Sequence, residues 1–194
     1  MRPARMITCV ALAIAAAFAA ALPANAAPAA TNYVALGDSY SSGVGTGSYD
    51  GASGGCKRSP YAYPALWASS HAPASFAFVA CSGATTSDVL NNQVGALSAS
   101  TTLVTISIGG NDAGFTDVIT TCTLGSDQDC INRTNTAKAY AQNTLPPLLD
   151  NVYSTIRNRA PSAKVIVLGY PRMYKVPGSC SVGLSDTKRS AINS

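Results

Sequence analysis

Three short clusters of small and polar residues stand out in this 194-residue sequence: Gly37-Asp38-Ser39-Tyr40-Ser41, Cys81-Ser82-Gly83 and Gly109-Gly110-Asn111-Asp112. Each follows an apolar run, so each is expected in a loop just past a buried strand. Ser39 falls in a turn where glycine permits a tight backbone and where a helix begins with its N–H groups pointing outward. A serine so placed can act as a nucleophile. The plainer reading of the tripeptide is that Asp38 or Ser39 caps a helix. Asn111 offers an uncharged NH2 donor, or else is a turn-forming residue in a Gly-rich loop. Asp38 and Asp112 adjoin these groups, but neighbours in a tight turn point in different directions, so both are expected to hold their loops.

A serine hydroxyl is a weak nucleophile without a base in hydrogen-bond reach, and histidine is the usual partner. The only histidine of the sequence, His71, lies in Ser69-Ser70-His71-Ala72-Pro73, at the expected end of a helix, where a cation favours the dipole. It reads as a capping or surface residue. All nine acidic residues are Asp. Without Glu the HExxH metalloprotease pattern is excluded, and one histidine rules out the usual imidazole metal sites, so no metal or other cofactor is expected. The run Gly43-Val44-Gly45-Thr46-Gly47 resembles a dinucleotide loop, but its spacing is wrong and it lies beyond the strand-to-helix turn.

These loops need elements to position them. Apolar, unalternating runs at 33–36, 76–80, 103–108 and 164–169 have the look of buried parallel strands. Helical segments are expected at 59–67, 86–97 and 132–159, and a capped helix opens at 184–192. The residues 43–55 form a long Gly/Ser-rich loop tied down by Cys56. Such alternation predicts an α/β, three-layer α/β/α domain with a central parallel sheet, whose ligands bind beyond the carboxyl ends of the strands.

Arg2 and Arg5 precede an apolar run that ends near Ala24-Asn25-Ala26, a small-x-small cleavage site. Residues 1–26 therefore read as a secretory signal peptide, without a stable membrane anchor, and 27–194 as one domain. Past the signal, eleven Lys/Arg against nine Asp leave +2, too slight and scattered for a nucleic-acid or membrane-surface partner. Five cysteines remain in a chain bound for an oxidising compartment. Pairing neighbours is the simplest choice, Cys56 with Cys81 and Cys122 with Cys130, which leaves Cys180 without a partner. The sequon Asn132-Arg133-Thr134 matters only in a eukaryotic secretory pathway.

The three clusters occur in the order and spacing of the SGNH/GDSL serine hydrolase blocks, and Cys56-Lys57-Arg58-Ser59 and Leu168-Gly169-Tyr170-Pro171-Arg172 resemble its secreted actinobacterial lipase/esterase branch. The resemblance runs from about Asn32 onward and implies a flavodoxin-like fold. It implies that Ser39 attacks an ester carbonyl while the Ser39 and Gly83 backbone N–H groups and the Asn111 amide hold the oxyanion. The family keeps its base in a DxxH block near the end of the domain, which these 194 residues do not contain. The base and a partner for Cys180 are thus expected further on, in a domain incomplete at its carboxyl end. The expectation is a secreted, monomeric carboxylic-ester hydrolase acting on a small-molecule or lipid ester. A carbohydrate O-deacetylase of the same family, or a non-catalytic lipid- or glycan-binding domain, are the alternatives.

Overall fold

The structure, a computed structural model, describes residues 30–178 and 183–194. The expected signal segment 1–26 and Cys180 lie outside the described residues. Four strands, β1 Asn32–Ala35, β2 Ser75–Phe78, β3 Leu103–Ile106 and β4 Lys164–Val167, form one parallel sheet in the order β2-β1-β3-β4. All four expected strands are present, each ending one or two residues short of its apolar run. β1 and β3 are the buried pair, whereas the edge strands β2 and β4 are largely open, with Ile166 and Val167 exposed.

The helices among the described residues are α1 Ser39–Ser42, α2 Tyr63–His71, α3 Thr86–Asp88, α4 Phe115–Leu124, α5 Asp127–Asn143, α6 Leu145–Arg159 and α7 Asp186–Ile192. α4 lies outside every expected helix, and three of the expected segments differ in detail. The segment 59–67 begins as a turn, and α2 starts only at Tyr63, with Pro64 in its first turn. The segment 86–97 is helical but changes pitch twice: α3 runs into a π turn at Val89–Gln93 and a 3-10 turn at Val94–Ala96. The segment 132–159 is two helices that meet at Thr144, where Pro146 and Pro147 lack the N–H groups that would continue the preceding turn. A short 3-10 turn, Gly51–Cys56, sits inside the expected loop 43–55.

One face of the sheet presents Val34, Leu36, Val104 and Ile106 to Val89, Val94 and Leu97 of the 86–97 segment and to Val152 and Ile156 of α6. The opposite face presents Tyr33 and Thr105 to α2. There Trp67 meets the Tyr33 ring edge-on at 5.0 Å, and the Tyr63 hydroxyl donates to Thr105 Oγ1 at 3.2 Å. These are the three layers. α4, α5 and α7 pack separately around Val118, Cys122, Cys130 and Leu184, with the Cys122–Cys130 disulfide joining α4 to α5. Because β1 lies between β2 and β3, the chain leaves β1 toward one side and later returns to the other. The connections that leave β1 and β3 therefore cover opposite faces of the sheet, and between these two strands an open parallel sheet offers a crevice.

Candidate active site

The loop after β1 turns at once into a helix. Gly37 has φ +128°, and a Cβ there would stand 2.5 Å from the Ser107 carbonyl oxygen, so no other residue fits. Asp38 caps α1 by accepting from the Tyr40 amide at 3.0 Å. Ser39 is the first residue of the helix. Gly43, in the left-handed region, ends it after one turn by donating to the Ser39 carbonyl at 3.1 Å. Both readings of the tripeptide are therefore met by different residues: Asp38 is the cap, and the Ser39 hydroxyl has no hydrogen-bond partner among the described residues. The glycines at 43–47 close α1 and enter an exposed loop in which Thr46 bonds Gly43 and Ser59, as turn residues rather than a phosphate cradle.

The three loops are bonded to one another. The Cys81 amide donates to the Gly37 carbonyl at 2.9 Å, which joins the second loop to the first. The Asp38 amide donates to the Ser107 carbonyl at 3.0 Å, and Ser107 Oγ donates back to Asp38 Oδ1 at 2.8 Å, which joins the first to the third. Asn111 Nδ2 donates to the Ala84 carbonyl at 2.9 Å, and Asp112 accepts from both the amide (3.0 Å) and the hydroxyl (2.6 Å) of Thr86, which joins the third to the second. Asp38 and Asp112 thus hold loops, as their positions suggested. One N–H of Asn111 is used on Ala84, and the other remains for a ligand. Gly83 has φ +81° with open space where a Cβ would point, and its amide and that of Ser39 donate to no acceptor among the described residues. The Cys56–Cys81 disulfide anchors the Gly83 loop from the far side, helped by Ser82 N–H to the Cys56 carbonyl at 3.0 Å.

A cavity of about 590 Å³ opens beside Ser39 and Asn111. Its polar end is Asp38, Ser39, Gly110 and Asn111. Its walls are Tyr40, Val44, Phe115, Tyr170, Met173 and Ile192, brought from α1 and the loop after it, α4, α7 and the loop after β4. Tyr170 was not singled out as a functional side chain, yet it spans the site: its hydroxyl donates to Asp38 Oδ2 and accepts from the Gly110 amide at 3.2 Å. Burial pushes its phenol well above the usual tyrosine range, and the Asp38 charge beside it adds to the effect. Tyr63 is raised likewise, chiefly by burial, against lowering by its bonds to Ser41 and Thr105. Tyr170 and Asp38 are 132 positions apart, which leaves no local signal of that contact.

His71 does not join the site. It is exposed at the end of α2, stacked flat on Trp67 at 4.3 Å, with Nδ1 shared between Ser70 Oγ and the Trp67 carbonyl. α2 runs back across the sheet to deliver the chain to the start of β2, so its last residue lies at the amino edge, opposite Ser39.

The arrangement is an open parallel α/β sheet with a serine at its carboxyl edge whose hydroxyl is unbonded among the described residues, beside a cavity that also borders Asn111. The chain belongs to the GDSL-like lipase/acylhydrolase family, whose model matches residues 35–192. It is 59% identical over 184 residues to Lipase 1 of Streptomyces coelicolor, covering 94% of this chain and 68% of that protein. It is 61% identical over 164 residues to a lipase of Streptomyces rimosus, covering 84% and 61%. Among solved structures it resembles phospholipase A1 from Streptomyces albidoflavus, with a TM-score of 0.82 and 65% identity, covering 85% of this chain and 70% of that one. The extracellular lipase of Streptomyces rimosus gives a TM-score of 0.81 at 61% identity, covering 84% and 70%. The fold and the family expected from the sequence hold.

Proposed function

We propose that the protein is a secreted carboxylic-ester hydrolase that cleaves acyl esters of lipids through an acyl-enzyme on Ser39. The Ser39 oxygen adds to the ester carbonyl, and its proton passes to a base. The carbonyl oxygen, now negative, is met by the amides of Ser39 and Gly83 and the remaining N–H of Asn111. Collapse expels the alcohol, which leaves with that proton, and water then releases the acid by the same steps in reverse. The donors are fixed before charge appears, so none needs to reorganise as it develops. His71 is too remote to be the base, a role that the resemblance gives to a histidine of a DxxH block.

The observation that carries this reading is the unbonded Ser39 hydroxyl at the polar end of a cavity whose other walls are apolar. A wall of Val44, Phe115, Met173 and Ile192 suits a hydrocarbon chain, whose burial contributes about 0.8 kcal/mol per CH2. A sugar would leave its hydroxyls without partners there. The relatives, named lipases and phospholipase A1, point the same way, so the carbohydrate deacetylase is not favoured. The test is covalent labelling by a fluorophosphonate of the protein expressed from its complete reading frame, with aryl esters of increasing acyl length as substrates. Labelling at Ser39 that Ser39→Ala abolishes, with kcat/KM rising from acetyl to octanoyl, supports the proposal. An unlabelled protein is a binder, and a preference for acetyl esters refutes the lipid substrate.

A further inference from the structure

Gln93 is buried at 2% exposure, 54 residues beyond Ser39 in the chain, and both ends of its side-chain amide are spent on one residue. Its Oε1 accepts from the Gly37 amide at 2.7 Å and its Nε2 donates to the Gly37 carbonyl at 2.8 Å. The backbone explains the need. On the β3 side the ladder continues past the end of β1, with Leu36 N–H to the Thr105 carbonyl and Asp38 N–H to the Ser107 carbonyl. On the β2 side the chain has already turned away; Cys81 still reaches the Gly37 carbonyl, but nothing of that strand accepts from the Gly37 amide. Gln93 stands in for the missing strand.

The helix is reshaped to deliver it. Gln93 ends the π turn Val89–Gln93, and both Val89 and Val94 are buried. An α-helix would set two positions five apart about 140° from each other, so a uniform α-helix could not point both into the same core. The wider turn keeps both valines inside and leaves Gln93 aimed at Gly37; such insertions recur at functional sites. An apolar side chain there would need no partners at all, whereas a buried amide must find all of its own.

We infer that Gln93 is a positioning residue for nucleophilic attack, acting through Gly37 to fix the turn that aims the Ser39 hydroxyl at the oxyanion donors. The inference rests on the hydrolase reading of Ser39. A nucleophile displaced by about 1 Å loses on the order of 10²-fold in rate. Gln93→Met keeps the length of the side chain and removes both bonds; Gln93→Glu keeps an acceptor for the Gly37 amide and supplies a fallback should the first variant not fold. Val89→Ala, in the same turn, is the control for lost packing alone.

The experiment compares the rate constant for Ser39 phosphonylation (kinact) with the probe's affinity (KI), and measures hydrogen exchange at the Gly37 amide, all on protein from the complete reading frame. The expected result is a kinact roughly 10- to 100-fold lower in Gln93→Met, with KI within about twofold and Gly37 protection lost, and an intermediate kinact in Gln93→Glu. Val89→Ala should lower the melting temperature and leave kinact near that of the wild type. A wild-type kinact in the Gln93 variants, or an equal fall in Val89→Ala, overturns the inference while leaving the hydrolase reading intact. A wild-type protein that takes no label at Ser39 overturns both.

Discussion

Tyr170→Phe removes one oxygen atom and with it a bridge from the side of β4 between the loops after β1 and β3. Asp38 keeps its bonds from the Tyr40 amide and Ser107 Oγ on Oδ1, but Oδ2 loses the phenol in a residue only 2% exposed. A hydrogen bond to a charged group contributes about 1.5–3 kcal/mol, and the Gly110 amide adds little because it borders the open cavity, where water can replace the phenol. The expected loss is therefore about 2 kcal/mol, which for a domain of this size lowers the melting temperature by roughly 4–8 °C. Because Asp38 precedes Ser39 and Gly110 precedes Asn111, kcat should also fall, by about tenfold, with KM little changed. Calorimetry and aryl-ester kinetics on the same preparations read both effects. A melting temperature within about 1 °C of the wild type together with an unchanged kcat would show that the phenol is a bystander and that the reasoning about this bridge is wrong.

Three further outcomes are expected. Asn111→Ala should lower turnover by about 10²- to 10³-fold while costing only about 1 kcal/mol of stability through the bond to the Ala84 carbonyl; equal turnover would remove Asn111 from the oxyanion site. The double substitution Cys56→Ser/Cys81→Ser opens a 25-residue loop, so thermal unfolding should come about 7–14 °C earlier, from about 3.5 kcal/mol of chain entropy; an unchanged midpoint contradicts the linkage. Tyr33 has its phenol pushed up to about 12, chiefly by burial, so its contribution to stability is complete below pH 10 and is lost as the pH rises from 10 through 12; unfolding free energies measured across that window should decline, and a flat profile would contradict it.

What the sequence disclosed and what it withheld divide along chain distance. The four strands were legible because runs such as Leu103–Ile106 are apolar and β-branched, and the three loops because Gly, Ser and Asn cluster directly after them. The two disulfides follow the neighbour pairing. α4 escaped notice because Phe115–Leu124 is dense in threonine, valine and isoleucine, poor helix formers that here are held by Val118 and Cys122 packing against α5 and α7. The break at Thr144 was hidden because proline is tolerated in the first turn of a helix, so two helices end to end keep one apolar rhythm. Gln93 and Tyr170 were illegible as parts of the site, since each acts on residues 56 or 132 positions away and their contacts exist only once the sheet has its register.

Beneath the candidate site, hydroxyl groups stand in a row: Ser107 Oγ to Asp38 Oδ1, Ser41 Oγ to Ser107 Oγ at 2.7 Å, and Tyr63 against Ser41 at 3.0 Å. A carboxylate can only accept, so Ser107 must give its proton to Asp38 and Ser41 must then give its own to Ser107, while Tyr63 gives to Thr105 Oγ1. Both serine O–H dipoles are thereby polarised toward the floor of the Ser39 turn. Exchange Asp38 for asparagine and an NH2 can point into the row instead, which would let the whole file of protons reverse its sense.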